Sequence, residues 1–182
     1  PESTLDVAIF AIPQEHGPQR PASVSACVSK WRKIHRDTLQ IEAKASANYL
    51  NGYLARKDAI ARGYDIGIML STDGLLAEGS RESIFVVRDG VLKVPPAGSV
   101  LSSITRMSIL EGASTIGVVC DTNDVTRKEL FAADEMFAAS TSLKVLPVAR
   151  FENRELPAPG PVTAWIDHLM KGIVRFENER FA

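Results

Sequence analysis

Apolar residues recur with the period of an α-helix in one segment in the first third of the chain. These residues are Leu50, Leu54, Ala55, Ala59 and Ile60. The pattern predicts a helix over about 46–62. Gly63 follows directly and is placed to end the helix, since glycine is the usual residue just past a helix C-terminus.

Elsewhere the apolar residues form short runs separated by turn residues, which is typical of strands. The predicted strands lie at 5–12, 23–31, 66–70, 75–78, 82–87, 91–94, 118–120, 136–139 and 144–151. Thr72-Asp73-Gly74 and Arg88-Asp89-Gly90 are hairpin turn signals between such runs. Strands grouped in hairpins with helices interspersed indicate an α+β fold rather than a regular parallel βαβ array.

Three further helices are predicted in the second half of the chain. One covers about 104–116, and another begins at Thr126, which forms a capping box with Glu129 three residues later. The last begins near Pro161. Val162, Trp165, Ile166 and Leu169 lie on one face of it.

Composition narrows the function classes. The chain has 182 residues, 45% of them hydrophobic, with 21 basic and 22 acidic residues, so it has no electrostatic footprint for nucleic acid. It has 2 cysteines, which indicate buried thiols of a reducing compartment and therefore a cytoplasmic protein. No apolar run approaches the roughly 18 residues of a membrane span. The 3 histidines are scattered, and no metal site is expected.

Lys44 is the candidate for covalent chemistry. It is expected at the end of an extended run and at the start of the first helix, a rigid position for one amine. A neutral lysine amine condenses with a carbonyl to form a Schiff base. A solvated surface lysine is the alternative. The basic cluster of Lys30, Arg32, Lys33 and Arg36 nearby is interpreted as solvated strand-end charges in preference to a phosphate contact.

A series of short motifs follows Lys44 in a characteristic order. They are Asn48-Tyr49-Leu50, Gly63-Tyr64-Asp65, Ala77-Glu78-Gly79-Ser80, Pro95-Pro96, Ile104-Thr105-Arg106, Ala133-Asp134-Glu135-Met136-Phe137, Ser140-Thr141 and Pro147-Val148. From about Leu5 onward the chain resembles the class IV pyridoxal-phosphate aminotransferases. That family includes branched-chain amino acid aminotransferase, D-amino acid aminotransferase and aminodeoxychorismate lyase. The run Val28-Ser29-Lys30-Trp31 resembles the branched-chain branch most.

The resemblance implies a D-amino acid aminotransferase-like fold, called fold type IV, with curved mixed sheets flanked by helices. Members of the family are longer and begin with a smaller domain. By this comparison residues 1–12 are the last strand of that domain, 13–22 a linker loop and 23–182 the large cofactor-binding domain.

The resemblance also implies the site residues and the cofactor, pyridoxal 5′-phosphate. Lys44 matches the Schiff-base lysine, which is both catalytic and cofactor-binding. The remaining cofactor-binding positions are Tyr49 at the ring oxygen, Glu78 at the pyridine nitrogen, Leu101 on the ring face, and Ile104, Thr105 and Thr141 on the phosphate side. Thr141 and Ser142 match the substrate-binding loop. Without the family resemblance, Tyr49 is equally well explained as a core residue. Leu101 is by default a core residue, and residues 140–142 are better explained as an ordinary polar turn.

The implied activity is transamination between a branched-chain or similar hydrophobic amino acid and 2-oxoglutarate. The implied partners are amino acid and 2-oxo acid substrates and a second copy of the chain in a homodimer or higher oligomer. Two alternatives remain open. In one, the cofactor is the same but the reaction differs. It is either the transamination of D-amino acids or the β-elimination that aminodeoxychorismate lyase catalyses. The other is a truncated, non-catalytic fragment.

Overall fold

The computed structural model describes residues 7–10 and 21–180. The strands are β1 Val24–Val28, β2 Ile66–Ile68, β3 Ser83–Arg88, β4 Val91–Lys93, β5 Cys120–Asp121, β6 Glu135–Ser140, β7 Lys144–Phe151 and β8 Arg154–Glu155. The helices are α1 Tyr49–Ala61, α2 Ile104–Thr115, α3 Arg127–Phe131 and α4 Pro161–Arg180. A single 3₁₀ turn, Ser46–Asn48, leads into α1.

One mixed sheet organises these elements in the order β2-β1-β7-β6-β3-β4-β5, with β8 paired to β7. The central pairs β3–β4, β3–β6 and β6–β7 are antiparallel, whereas β1 runs parallel to both β2 and β7. The predicted α+β architecture is therefore confirmed. The short strand β8 was not predicted, because its two residues, Arg154 and Glu155, carry no apolar signal.

The hairpin between β3 and β4 follows directly from its turn residues. Asp89 and Gly90 both adopt positive φ, 50° and 76°. A two-residue turn of this kind matches the right-handed twist of the flanking strands, and Asp-Gly tolerates it better than other pairs. The predicted turn at 88–90 is confirmed.

The core lies on both faces of the central strands. Successive residues of β3 and β6 alternate between two apolar clusters, so Ile84 belongs to one and Phe85 to the other. The second cluster includes Ile109 of α2 and Ile166 of α4, which cover that face of the sheet. Phe85 stacks on Phe137 of β6 with ring centroids 4.7 Å apart. Burial on both faces makes β3 and β6 the rigid centre of the molecule.

The predicted helix is present as α1, and its inner face consists of small residues. Its buried residues are Gly52, Ala55 and Ala59, whereas Leu50 and Ile60 are 63% and 56% exposed. Small residues face inward because the helix lies very close to the rest of the protein. A Cβ at Gly67 of β2, for example, would collide with the backbone of Ala55.

Capping interactions define the ends of the later helices. The predicted capping box of α3 is present, with Thr126 Oγ1 accepting from the Glu129 amide. At α4, the buried carboxylate of Glu135 accepts hydrogen bonds from the amides of Val162 and Thr163, at 3.0 and 2.8 Å. Of the apolar residues predicted to share one face of α4, Val162 and Ile166 are buried, whereas Trp165 is 58% exposed. Met170, one turn beyond Ile166, is buried in its place.

The predicted strand at 5–12 is described only over residues 7–10. These residues form no strand, and Ile9 and Phe10 are 92% and 83% exposed, so the expected buried strand is wrong there. The rest of that segment, and residues 13–20 of the predicted linker, lie outside the described residues. Within residues 7–10 and 21–180, every helix is too short or too polar to cross a bilayer.

Candidate active site

One cavity of about 200 Å³ gathers residues from five separate stretches of sequence, one of which is Lys33 alone. Its walls are the start of α1, the turn before β3, the start of α2 and the end of β6. Among the predicted site residues, those that line it are Lys44, Tyr49, Glu78, Leu101, Ile104 and Thr141. Thr105 and Ser142 do not line it. The fold thus brings most of the predicted positions to one place.

Lys44 lies between a turn at residues 41–43 and the 3₁₀ turn, and it is exposed. Its predicted position at the end of an extended run is wrong, because residues 29–45 contain no strand. The side chain of Asn48 donates hydrogen bonds to the carbonyls of Gln40 and Ala43, at 3.1 and 2.7 Å. These bonds bend the chain just before the lysine.

Tyr49 is the first residue of α1 and is half-buried at the cavity. The helix is brought to this position by Gly52. A Cβ on Gly52 would collide with the backbone carbonyl oxygen of Ser80, so only glycine permits the close approach. Sequence reasoning did not single out Gly52. Its one signal is that a glycine stands inside an otherwise helical pattern.

Glu78 forms an ion pair with Lys33, and the side chains are only 17% and 6% exposed. Its second oxygen accepts a hydrogen bond of 3.3 Å from the Leu101 amide. The Lys33 amide donates to the carbonyl of Leu70 at 2.9 Å, which anchors the lysine beside the sheet. The interpretation of Lys33 as a solvated strand-end charge is therefore wrong. Nothing in the local sequence distinguishes Lys33 from its basic neighbours, because its partner lies 45 residues away.

The start of α2 lies at the cavity, where Ser103 and Ile104 line the wall. Ser103 caps the helix and accepts a hydrogen bond of 3.3 Å from the Arg106 amide. The amides of Ile104 and Thr105 belong to the first turn, whose N–H groups have no partner within the helix. Ile104 is 75% exposed, whereas Thr105 is 7% exposed and turned away from the cavity.

Arg106 acts as a structural residue beneath the same helix. Its guanidinium is buried and donates a hydrogen bond of 2.7 Å to the carbonyl of Pro95. Burial lowers the pKa of Arg106 from its usual value. The bond ties α2 to the segment that leads to Leu101.

The loop between β6 and β7 contributes Ser140 and Thr141 to the cavity wall. Ser140 Oγ accepts a hydrogen bond of 3.3 Å from the Leu143 amide and lies 3.4 Å from Ser142 Oγ. These contacts make residues 140–143 a tight polar turn that directs Thr141, but not Ser142, toward the cavity.

Charges of both signs surround the cavity. Its lining includes three acidic and three basic side chains. Glu82, which the sequence did not point to, is 8% exposed and accepts a hydrogen bond of 2.8 Å from the Arg81 amide. Across the described ranges, no group of three or more His, Cys, Asp or Glu side chains is arranged to hold a metal ion.

Comparison with known proteins identifies the class. The model of the class IV amino-transferase family matches residues 1–151, and the chain belongs to this family. The resemblance found in the motifs is thereby confirmed.

Within the family, the chain is similar to branched-chain aminotransferases. The branched-chain-amino-acid aminotransferase of Salmonella typhimurium is 34% identical over 185 residues, which cover 98% of this chain and 60% of the relative. The structure of the enzyme from Thermoproteus uzoniensis with norvaline matches with a TM-score of 0.82 and 39% identity, covering 87% of this chain and 54% of that one. The structure of the branched-chain amino acid aminotransferase from Thermobaculum terrenum in its PLP form matches with a TM-score of 0.82 and 34% identity. This match covers 87% of the present chain and 53% of that chain.

These structures confirm the expected fold type IV architecture. The chain spans 60% of the length of the Salmonella relative and just over half of each solved structure.

Proposed function

We propose that the chain forms the cofactor-binding part of a pyridoxal-phosphate-dependent aminotransferase. The proposed reaction transfers an amino group from a branched-chain or similar hydrophobic amino acid to 2-oxoglutarate. The observation that carries the proposal is the convergence of the Lys44 amine, the Tyr49 phenol and the Glu78 carboxylate on one cavity. The similar branched-chain aminotransferases support the substrate class.

The donor set of the cavity fits pyridoxal 5′-phosphate group by group. The cofactor has an aldehyde, a ring oxygen, a pyridine nitrogen and a phosphate. An amine, a phenol, a carboxylate and a helix N-terminus stand around the cavity, one for each group. When bound, the cofactor supplies an electron sink that stabilises negative charge on the substrate carbon.

Lys44 would hold the cofactor covalently through its amine. Once the substrate amine has taken its place, Nζ of Lys44 would accept the proton of the substrate carbon as a general base and then donate it to the cofactor carbon as a general acid. Exposure of Lys44 at the cavity leaves the side chain free to make both movements.

Glu78 would place a negative charge opposite the pyridine nitrogen. Two contacts orient its carboxylate: the ion pair with Lys33 and the hydrogen bond from the Leu101 amide. Such fixed charges stabilise a developing charge without having to reorganise during the reaction. The side chain of Leu101 would pack on the ring face, and Tyr49 would bind the ring oxygen.

The phosphate would lie at the start of α2. Amides of a first helical turn, together with the helix dipole, favour an anion there. Because the Thr105 side chain is buried away from the cavity, its proposed contribution is its amide, beside that of Ile104. Thr141 would complete the phosphate side, and Thr141 and Ser142 the substrate side.

We also infer the domain organisation, the oligomeric state and the cellular location of the protein. Residues 1–12 would end a small N-terminal domain, 13–22 would form a linker, and 23–182 would form the large domain of a cytoplasmic homodimer. Leu50 and Tyr53 of α1 and Ile104 of α2 support the dimer, because these large apolar side chains are 63%, 57% and 75% exposed. Both cysteines are free thiols, as expected in a reducing compartment. Light scattering tests the dimer, and a monomer at working concentration would contradict it.

Reductive trapping tests the cofactor site. The purified chain is mixed with pyridoxal 5′-phosphate, reduced with borohydride and digested, and the labelled peptide is identified by mass spectrometry. We expect the label on Lys44, its loss in Lys44→Ala, and its retention in Lys57→Ala, which removes an exposed lysine of α1. Labelling of another lysine, or none, would contradict the proposal. Transamination of L-leucine compared with D-alanine then separates the main reaction from the D-amino acid alternative.

A further inference from the structure

The backbone that carries Lys44 has little packing to hold it. We name residues 40–45 the lysine turn. Apart from Ile41, these residues are exposed, so side-chain burial does not fix their conformation. Hydrogen bonds must therefore position the turn.

Asn48 supplies three of these hydrogen bonds. Its carboxamide donates to the carbonyls of Gln40 and Ala43, at 3.1 and 2.7 Å, and its amide donates to the Ala45 carbonyl at 3.0 Å. The Ala43 carbonyl belongs to the peptide group that ends at the nitrogen of Lys44. Because a peptide group is planar, the hydrogen bond to the Ala43 carbonyl fixes the orientation of the whole peptide group between Ala43 and Lys44.

The orientation of the Asn48 side chain is dictated by these contacts. Its Oδ1 is buried and has no hydrogen-bond partner in the described part of the chain. A flipped carboxamide would direct that oxygen at two carbonyl oxygens, which repel it. The side chain thus leaves one acceptor unpaired, which is unfavourable for a buried group, and uses both donors on the lysine turn.

We propose that Asn48 is a positioning residue for Lys44: its carboxamide holds the lysine turn in the conformation that points the amine into the cavity. The inference rests on the proposed function for the role of the amine. The restraint itself concerns only the protein and is measurable without cofactor.

The test measures the turn directly in the purified full chain. Asn48→Ala removes both side-chain donors, and Asn48→Asp keeps the shape but places a carboxylate against two carbonyls. Amide hydrogen exchange is followed by mass spectrometry at the amides of Ala43 and Asn48, which donate to the carbonyls of Gln40 and Ala45 and so report on the lysine turn, with β6 as the internal reference. Loss of two hydrogen bonds predicts roughly five- to a hundred-fold faster exchange in the lysine turn of Asn48→Ala, and unchanged exchange in β6.

A second readout follows the amine. The rate of reductive trapping of pyridoxal phosphate at Lys44 is divided by the rate of reductive methylation at Lys57 in the same sample. We expect this ratio to fall about tenfold in Asn48→Ala and at least as far in Asn48→Asp. Thr38→Val is the matched control, because it removes a side-chain bond of 2.6 Å to the His35 carbonyl in the same loop. It should stay within about twofold of the native chain.

The outcomes separate the two proposals. Native exchange in the lysine turn of Asn48→Ala, or faster exchange with a native trapping ratio, overturns the positioning role. If Thr38→Val lowers the ratio as far as Asn48→Ala, general loosening of the loop is the cause and the role is also overturned. If the native chain is not labelled at Lys44 at all, the proposed function fails, while hydrogen exchange still decides whether Asn48 holds the turn.

Discussion

Replacement of Lys33 by methionine tests the buried ion pair at the centre of the site. Methionine keeps most of the volume of the lysine stem but removes the ammonium. Glu78 is then left with the hydrogen bond from the Leu101 amide, 3.3 Å long, and with 17% of its side chain exposed. A carboxylate in that position has lost its only cationic partner among the contacts that the described residues make.

Breaking a buried ion pair from one side typically costs 3–5 kcal/mol. The remaining hydrogen bond and partial exposure of Glu78 place the expected loss at the lower end, about 3 kcal/mol of the free energy of unfolding. For a chain of this size, that corresponds to a fall of roughly 6–12 °C in Tm. The double variant Lys33→Met/Glu78→Gln removes both charges and should recover more than half of the loss, because it leaves no unpaired buried charge.

Urea unfolding at pH 7, followed by circular dichroism, measures the free energy of unfolding of the native chain, the two single variants Lys33→Met and Glu78→Gln, and the double variant. Arg175→Met is the control, because it breaks the pair with Glu179 on α4, whose side chains are 81% and 64% exposed. It should cost less than about 0.5 kcal/mol. Losses that simply add in the double variant would refute the reasoning, since they would show that Lys33 and Glu78 do not interact energetically.

Three further predictions concern packing, pH and thiol reactivity. Gly52→Ala should lower the free energy of unfolding by about 1–3 kcal/mol, because the new Cβ would collide with the backbone of Ser80. Gly172→Ala, in open space on α4, should raise the free energy of unfolding by about 1 kcal/mol. Urea unfolding compares the two variants, and equal effects would contradict the close approach of α1. The pKa of Glu129 is lowered to about 2 by the hydrogen bonds from Thr126, then by Lys93, so its contribution is complete above its unfolded value of 4.5 and is lost as pH falls toward 2. The pH dependence of unfolding should therefore be weaker in Glu129→Gln over that window, and identical slopes would rule out the assignment. Burial raises the pKa of the Cys27 thiol to about 11. At pH 8 a disulfide reagent should therefore modify Cys27 far more slowly than the half-buried Cys120. Faster modification of Cys27 would contradict this prediction.

Local features of this protein were determined by the sequence itself. The Asp89-Gly90 turn and the Thr126 capping box depend on residues within four positions of each other, so their hydrogen bonds and dihedral angles are set by neighbours in the chain. The order of motifs after Lys44 likewise predicted the family, and most of the site residues inferred from that resemblance line the cavity.

Other features were decided only by the tertiary structure. The partner of Lys33 lies 45 residues away, and no periodicity links it to Glu78. Helical spacing did not show which residues of α1 face inward, because the space beside Ser80 admits only Gly52. Thr105 and Ser142 each stand beside a residue that lines the cavity, yet neither lines it. Neighbouring residues in a helical turn or a tight loop point in different directions, and only the packing of the whole chain decides which of them faces the site.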